Sequence, residues 1–319
     1  MSGRLPEVEW IWRDGEFIPW GEAKVHVLSL AVQFGSSVFE GMRCYETPRG
    51  LAIFRLQAHL RRLFDSCRVY RIELPHSADD LAAACTAVVE RNGLSECYVR
   101  PTIVRGYGSS SMVPDESPVE TYIAAWPWGA YLGEEALTQG VDVCVSSWQR
   151  MQPNTFPAVA KAAGHYTNAQ LIKMEAIAHG YVEAIALGPG GLVSEGSGQN
   201  LFLVRDGTLI APAIDGTALP GITQNSVLTI AEDLSIPVVR QAVPRETLYT
   251  ADELFFTGTA TEVTPIRSVD RITIGEGRAG PITMQLQQQY LAVVHGKVPD
   301  KHGWLTYVNQ PAEVGASEG

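Results

Sequence analysis

One charge interrupts the small, apolar run Asn154-Thr-Phe-Pro-Ala-Val-Ala-Lys-Ala-Ala-Gly-His-Tyr-Thr-Asn168, and it is the amine of Lys161. Lysine is scarce in this chain, five residues against nineteen arginines. A lysine among alanines is readily desolvated, which lowers its pKa and makes it a usable amine nucleophile. Schiff-base chemistry needs such a group. The same window also suits a lysine whose stem lies along apolar surface with its head in water.

Other segments supply what an amine of that kind would need. Glu195 stands between an apolar strand and a Gly-rich turn in Leu192-Val-Ser-Glu-Gly-Ser-Gly-Gln-Asn-Leu-Phe-Leu-Val204. A carboxylate there could hold a protonated heterocyclic nitrogen through a charge-assisted bond, or be an ordinary loop glutamate. Leu219-Pro-Gly-Ile-Thr-Gln-Asn-Ser226 leads into an amphipathic helix, so the amides of Ile222 and Thr223 fall at a helix N-terminus and form an anion site. Thr257-Gly-Thr-Ala-Thr261 is a second small-residue turn with amides and hydroxyls to offer. His59-x-x-Arg62 places two side chains on one helix face, whereas Arg61 fits a solvated position. No Walker A loop and no complete G-x-G-x-x-G occurs. A nucleophilic lysine, an anion-binding helix start, an arginine and a carboxylate for a pyridinium nitrogen together fit pyridoxal 5'-phosphate.

The elements that must position these groups are legible in outline. Trp10–Ile18 reads as a hairpin turning at Asp14-Gly15, and Ser37–Tyr45 with Leu51–Phe54 as a strand pair. Apolar spacing predicts a helix through His59–Tyr70, and Ser77-Ala-Asp-Asp80 opens another that runs to Asn92. Strands follow at 97–104 and 119–126. Trp126-Pro-Trp-Gly-Ala-Tyr-Leu-Gly133 suits an ordered aromatic linker. Beyond it the patterning predicts strands near 141–148, 181–187, 200–204, 208–211, 236–241 and 253–257, and helices near 166–179, 222–233 and 282–295. The expected division is a smaller N-terminal α/β domain over 1–125, an interdomain loop over 126–137 and a larger C-terminal cofactor-binding domain over 138–319.

Composition narrows the function. The net charge is −11 with no basic stripe, which argues against nucleic-acid binding. No apolar run approaches a membrane span and the N-terminus lacks signal-peptide order, so a cytoplasmic enzyme with no membrane partner is expected. Five scattered cysteines without a Cys-x-x-Cys pair, and histidines without His-x-x-x-His spacing, suggest reduced thiols and no metal site.

Phe34-Gly-Ser-Ser-Val-Phe-Glu-Gly-Met-Arg43, Ala125-Trp-Pro-Trp-Gly-Ala-Tyr131, Ala160-Lys-Ala-Ala-Gly-His-Tyr166, Glu195 to Phe202, Leu219 to Thr223 and Gly258-Thr-Ala260 fall in the order and spacing of one family. The chain resembles the class IV, fold type IV, pyridoxal-phosphate aminotransferases, and within them the branched-chain amino acid enzymes, from Trp10 to Leu305. The resemblance implies an α+β fold of two domains, the C-terminal one with a β-barrel-like core and the active site at the domain interface. It implies that Lys161 is the catalytic lysine, which bonds the cofactor and moves the proton. Arg62, Ile222, Thr223 and Thr259 would hold the phosphate, Glu195 the pyridine nitrogen and Tyr166 the phenolic oxygen, with Leu219 alongside. Phe39, Trp128, Tyr131 and Leu219 would form apolar walls for a branched side chain. Gly41, Tyr98, Thr259 and Ala260 would orient the substrate, and Arg100 would reach a γ-carboxylate. Amino acids and 2-oxo acids are the implied substrates, and a homodimer or higher homo-oligomer the implied assembly, since the family builds its site from both subunits.

Three positions depart from the family's pattern. Phe34 stands where a tyrosine usually lines the substrate pocket, Ala211-Pro212 replaces Thr-Pro, and Gln224 replaces a frequent arginine. Phe34 keeps a D-amino acid or (R)-amine transaminase, or a lyase of the aminodeoxychorismate type, open beside transamination of L-leucine, L-isoleucine and L-valine with 2-oxoglutarate. A non-catalytic binder is a third reading, against which the pairing of Lys161 with Glu195 speaks.

Overall fold

The computed structural model describes residues 5–109, 111–114, 116–129, 134–213 and 216–309; Tyr131 lies outside the described residues. β1 (Trp10–Arg13) and β2 (Glu16–Pro19) form the hairpin expected at Asp14-Gly15. There follow α1 (Leu30–Phe34), β3 (Ser37–Phe39), β4 (Met42–Thr47), β5 (Gly50–Phe54), α2 (Leu56–Val69) and α3 (Ala78–Arg91). β6 (Cys97–Arg105) and β7 (Val119–Pro127) then pair along their whole length. Next come α4 (Glu134–Gln139), β8 (Val141–Val145), α5 (Tyr166–Ala178), β9 (Glu183–Leu187), β10 (Val193–Gly196), β11 (Asn200–Arg205) and β12 (Thr208–Pro212). The chain continues through α6 (Ile222–Asp233), β13 (Val238–Gln241), α7 (Thr247–Thr250), β14 (Glu253–Gly258), β15 (Glu262–Val269) and β16 (Ile272–Thr273). α8 (Pro281–Val294) and β17 (Leu305–Tyr307) close it.

The strands make two sheets. The first runs β17-β5-β4-β6-β7-β1-β2, with β3 also on β6, and the second runs β10-β9-β8-β15-β14-β11-β12-β13, with β16 on β15. α2 and α3 cover one face of the first sheet, where Leu60, Leu63, Leu81 and Val88 meet Val99, Ile103 and Ile123. α3 starts where the sequence places it, because Ser77 Oγ accepts from the Asp80 amide while Asp80 accepts in return from the Ser77 amide. In the second sheet β11 and β14 are apolar on both faces, the pattern of interior strands. Tyr45 and Phe54 of the first sheet enter the same core as Phe202 and Phe255 of the second and Tyr290 of α8, so the two sheets share packing. No helix among the described residues is long and apolar enough to cross a membrane.

Two differences from the sequence expectation bear on the site. The strand expected over 37–45 is broken at Glu40-Gly41, where the Glu40 carboxylate turns inward to His59 and Arg62 of α2. The patterning does not predict β15, since Pro265 sits mid-strand and such a residue argues for an edge. It nonetheless lies between β14 and β8, and the parallel ladder with β8 begins one residue past the proline, at Ile266↔Val141.

Candidate active site

The segment carrying Lys161 links β8 to α5 and is tied to the first sheet by its backbone. The Lys161 amide donates to Ser66 Oγ of α2 at 2.9 Å, and the Phe39 amide of β3 donates to the Lys161 carbonyl at 3.0 Å. Glu195 on β10, Thr223 on α6 and Thr259 after β14 approach from the second sheet. A cleft between the sheets therefore gathers residues from opposite ends of the chain.

All of Arg62, Lys161, Tyr166, Glu195, Leu219, Ile222, Thr223 and Thr259 line one cavity in this cleft. A second, opening on the same Lys161, Tyr166 and Thr259, is lined by Phe39, Gly41, Tyr98, Arg100, Trp128 and Ala260 and encloses about 300 Å³. That is the low end of the range for small-molecule sites. Phe34 is not brought to either cavity. It is 53% exposed and lines a separate concavity with Leu30, Tyr70, Met112 and Phe156.

Lys161 Nζ is 2.6 Å from the Tyr166 hydroxyl and lies over the rings of Phe39 and Tyr166, 5.0 and 5.2 Å from their centroids. At one end of its cavity Glu195 is buried, and Arg150 Nη2 is 2.8 Å from its Oε1. The Leu219 amide donates to Oε2 at 3.1 Å, and Asn200 Nδ2 approaches the same oxygen at 3.4 Å. Burial raises the Glu195 pKa, and the nearby Arg150 charge and Leu219 amide do not offset it fully.

At the other end α6 begins at Gly221 with no side chain capping it, so its first amides face the cavity. A methyl at Gly221 would collide with Asn200 Oδ1, so a residue without Cβ is what fits there. Arg62 donates through Nε and Nη2 to the two oxygens of Glu40, at 2.6 and 2.9 Å, and through Nη1 to the Pro220 carbonyl at 2.8 Å. About two of the guanidinium's N–H bonds remain for a ligand. Glu40 is wholly buried, which by itself would raise its pKa, but Arg62 and His59 outweigh burial and hold it well below the usual carboxylate range. Desolvation lowers the His59 pKa, and its Nδ1–H donates to the Glu40 carboxylate at 2.7 Å. The Thr257 hydroxyl, also in this cavity, is buried with no protein partner. Uncapped amides, a half-engaged arginine and an orphan hydroxyl at one end, a buried carboxylate at the other and an amine between them fit a phosphorylated pyridine aldehyde.

Sequence reasoning missed Glu40, Arg150 and Asn200. Glu40 lies inside the Phe34–Arg43 run without a pattern that marks it, and Arg150 follows Ser146-Ser-Trp-Gln149 with no motif at all. Gln224 is buried in the first turn of α6, and Ala211-Pro212 ends β12.

The family model described as amino-transferase class IV matches residues 37–269. The chain belongs to the class IV aminotransferases. Among its relatives, the branched-chain-amino-acid aminotransferase of Escherichia coli (strain K12) is 48% identical over 95% of this chain and 99% of the relative. The enzyme of that name from Pseudomonas aeruginosa is 45% identical over 93% and 97%. The solved E. coli branched-chain amino acid aminotransferase superposes with a TM-score of 0.93, covering 95% of this chain and all of that one. A branched-chain amino acid aminotransferase from Thermobaculum terrenum, solved in its PLP-form, gives 0.87 at 35% identity, covering 95% of this chain and 99% of that one. The two-sheet α+β architecture of this class IV aminotransferase is thus fold type IV.

Proposed function

We propose that the protein transfers the amino group of L-leucine, L-isoleucine and L-valine to 2-oxoglutarate, giving the branched 2-oxo acids and L-glutamate. The observation that carries this reading is the Lys161 amine placed between the Glu195–Arg150 pair and the Arg62–α6 anion cradle. The branched-chain name shared by the relatives favours L-branched substrates over the D-amino acid or (R)-amine alternative. Pyridoxal phosphate, when bound, supplies an aldehyde that takes up the amino group and a protonated ring that accepts the electrons left as the α-proton departs.

The chain's residues do the rest. Glu195, fixed by Arg150 and the Leu219 amide, holds a proton at the ring nitrogen. Arg62, the Ile222 and Thr223 amides and Thr259 bind the phosphate, and Tyr166 orients the phenolic oxygen. Lys161 Nζ is the base that moves the α-proton, within reach of both cavities. Phe39 and Trp128 give a branched side chain an apolar wall. Arg100 lies over Phe39, Tyr98 and Trp126, 5.0–5.4 Å from each centroid, with its Nε buried and unbonded. A guanidinium held by ring faces can receive the γ-carboxylate of glutamate beside a surface suited to leucine.

The exposed apolar concavity around Phe34, with Met112 at 82% exposure, supports a second copy of the chain as partner. Five free, buried cysteines support a cytoplasmic setting. The test is glutamate formation from 2-oxoglutarate with L-leucine, L-isoleucine, L-valine, D-alanine and (R)-1-phenylethylamine. Turnover of the L-branched set is expected, and a preference for the D- or (R)-substrates would overturn the specificity.

A further inference from the structure

β14 and β15 are joined by Thr259-Ala260-Thr261, with Gly258 paired to Glu262 at the base of the hairpin. Glu262, the first residue of β15 after this loop, takes the left-handed backbone that glycine fills most easily, at φ +53. A side chain held against that backbone preference persists where the surroundings over-determine it, and such positions gather at functional sites.

The surroundings of Glu262 belong to the other sheet. Arg43 Nη1 lies 3.1 Å from Glu262 Oε1, and the Tyr45 hydroxyl donates to the same oxygen at 2.9 Å. Arg43 also covers the Tyr45 ring at 4.7 Å and reaches Glu96 at 3.8 Å. Arg43, Tyr45 and Glu262 are all buried. Arg43 and Tyr45 stand on β4, whose first residue follows Gly41 on the cavity wall, while Thr259, Ala260 and Thr261 line the opposite wall. A desolvated ion pair is weak evidence for stability in itself. Its place, directly beneath the turn and spanning the cleft, gives it a geometric consequence.

We propose that Glu262 is a positioning residue for substrate. Its carboxylate ties the Thr259–Thr261 turn to β4 and sets the separation between the turn's amides and the wall of Gly41, Tyr98 and Arg100. The inference deepens the proposed function and rests on reading this cavity as the substrate site. Glycine at 262 would ease the backbone and remove the carboxylate, so it separates the needs of the turn from those of the clamp.

The experiment titrates holoenzyme with 4-methylvaleric acid, a leucine-shaped carboxylate without the amino group, and follows the cofactor absorbance. Glu262→Gly and Glu262→Gln are each expected to raise the dissociation constant about tenfold or more, while cofactor affinity falls by a clearly smaller factor, because Thr259 is one of several phosphate-binding groups and the others lie outside the turn. KM for L-leucine and for 2-oxoglutarate should rise together, and Arg43→Met should add little to Glu262→Gly because the two remove one contact. A merely structural role would lower cofactor retention and acid binding by the same factor, and that result overturns the proposal. So does binding within twofold of the unaltered protein in Glu262→Gly or, if that variant does not fold, in Glu262→Gln. Absence of acid binding by the unaltered holoenzyme would instead overturn the reading of the cavity, and this inference with it.

Discussion

Glu40 and Glu195 are both buried carboxylates in contact with arginine, yet their pKa values move in opposite directions. The difference is the number of partners. Burial raises both, but Glu40 takes two bonds from Arg62 and one from His59, whereas Glu195 has Arg150 and one amide at full strength. Arg150→Met would leave Glu195 without its cation and raise its pKa further. The acid limb of the kcat/KM profile should then move to higher pH, because fewer molecules carry the carboxylate that, in the proposed site, holds the ring proton. An unshifted limb in Arg150→Met would deny Arg150 this role. His165, next to Tyr166, is pushed down to about 4 by burial and, secondarily, by the Arg150 charge. A histidine that takes up a proton less readily folded than unfolded favours unfolding as acid is added. Its contribution is therefore intact above the ordinary value near 6.5 and is lost as pH falls toward about 4. In His165→Asn the decline in melting temperature across that window should be shallower; equal slopes in the two proteins would contradict the assignment.

At the scale of elements, the site depends on where strands and helices stop. β3 and β4 read as one strand, and the interruption at Glu40-Gly41 turns a carboxylate inward and leaves Gly41 beneath the Tyr98 ring, where any Cβ would meet the hydroxyl. The proposed phosphate site likewise rests on the first residues of α6. The Gly221 backbone, φ −70, is open to any residue, so space and not conformation demands glycine. Gly221→Ala should displace Asn200, which bonds the Leu219 carbonyl and approaches Glu195, and so disturb both ends of the cofactor cavity. An increase of about tenfold or more in the pyridoxal phosphate dissociation constant is expected, equivalent to roughly 1.4 kcal/mol. Unchanged affinity, measured by absorbance titration of the apoprotein, would count against the cradle.

The molecule as a whole carries an apolar concavity whose character contrasts with its net charge of −11. Val27, Leu28, Val32, Phe34, Tyr107, Met112, Val113 and Phe156 are all exposed, and several share one concavity. Stable dimers bury about 800 Å² per partner, with aromatic residues and methionine enriched in the core. On the proposed pairing of two copies through this concavity, Phe34→Glu combined with Met112→Glu would place two charges in the interface core. Sedimentation should show the assembly reduced to monomer, with turnover falling alongside; a variant that kept the mass of the unaltered protein would place the interface elsewhere.

Local chemistry is legible in the chain. Lys161 in its alanine-rich run, the Gly221-Ile-Thr helix start, Glu195 before a Gly-rich turn and the Ser77–Asp80 cap depend on near neighbours, and the spacing of neighbours is what a sequence displays. Tertiary structure decided what depends on long-range pairing. β15 carries a proline that argues against an interior strand, and its place between β14 and β8 follows from partners more than a hundred residues apart. Glu40 and Arg150 look like unremarked charges until folding removes them from water, at which point each must find a counter-charge. Glu262 takes a left-handed backbone that would ordinarily call for glycine, and it acquires its reason from Arg43 and Tyr45, some 220 residues away in sequence. Burial, which sets the energetic value of a charge, is a property of the assembled fold.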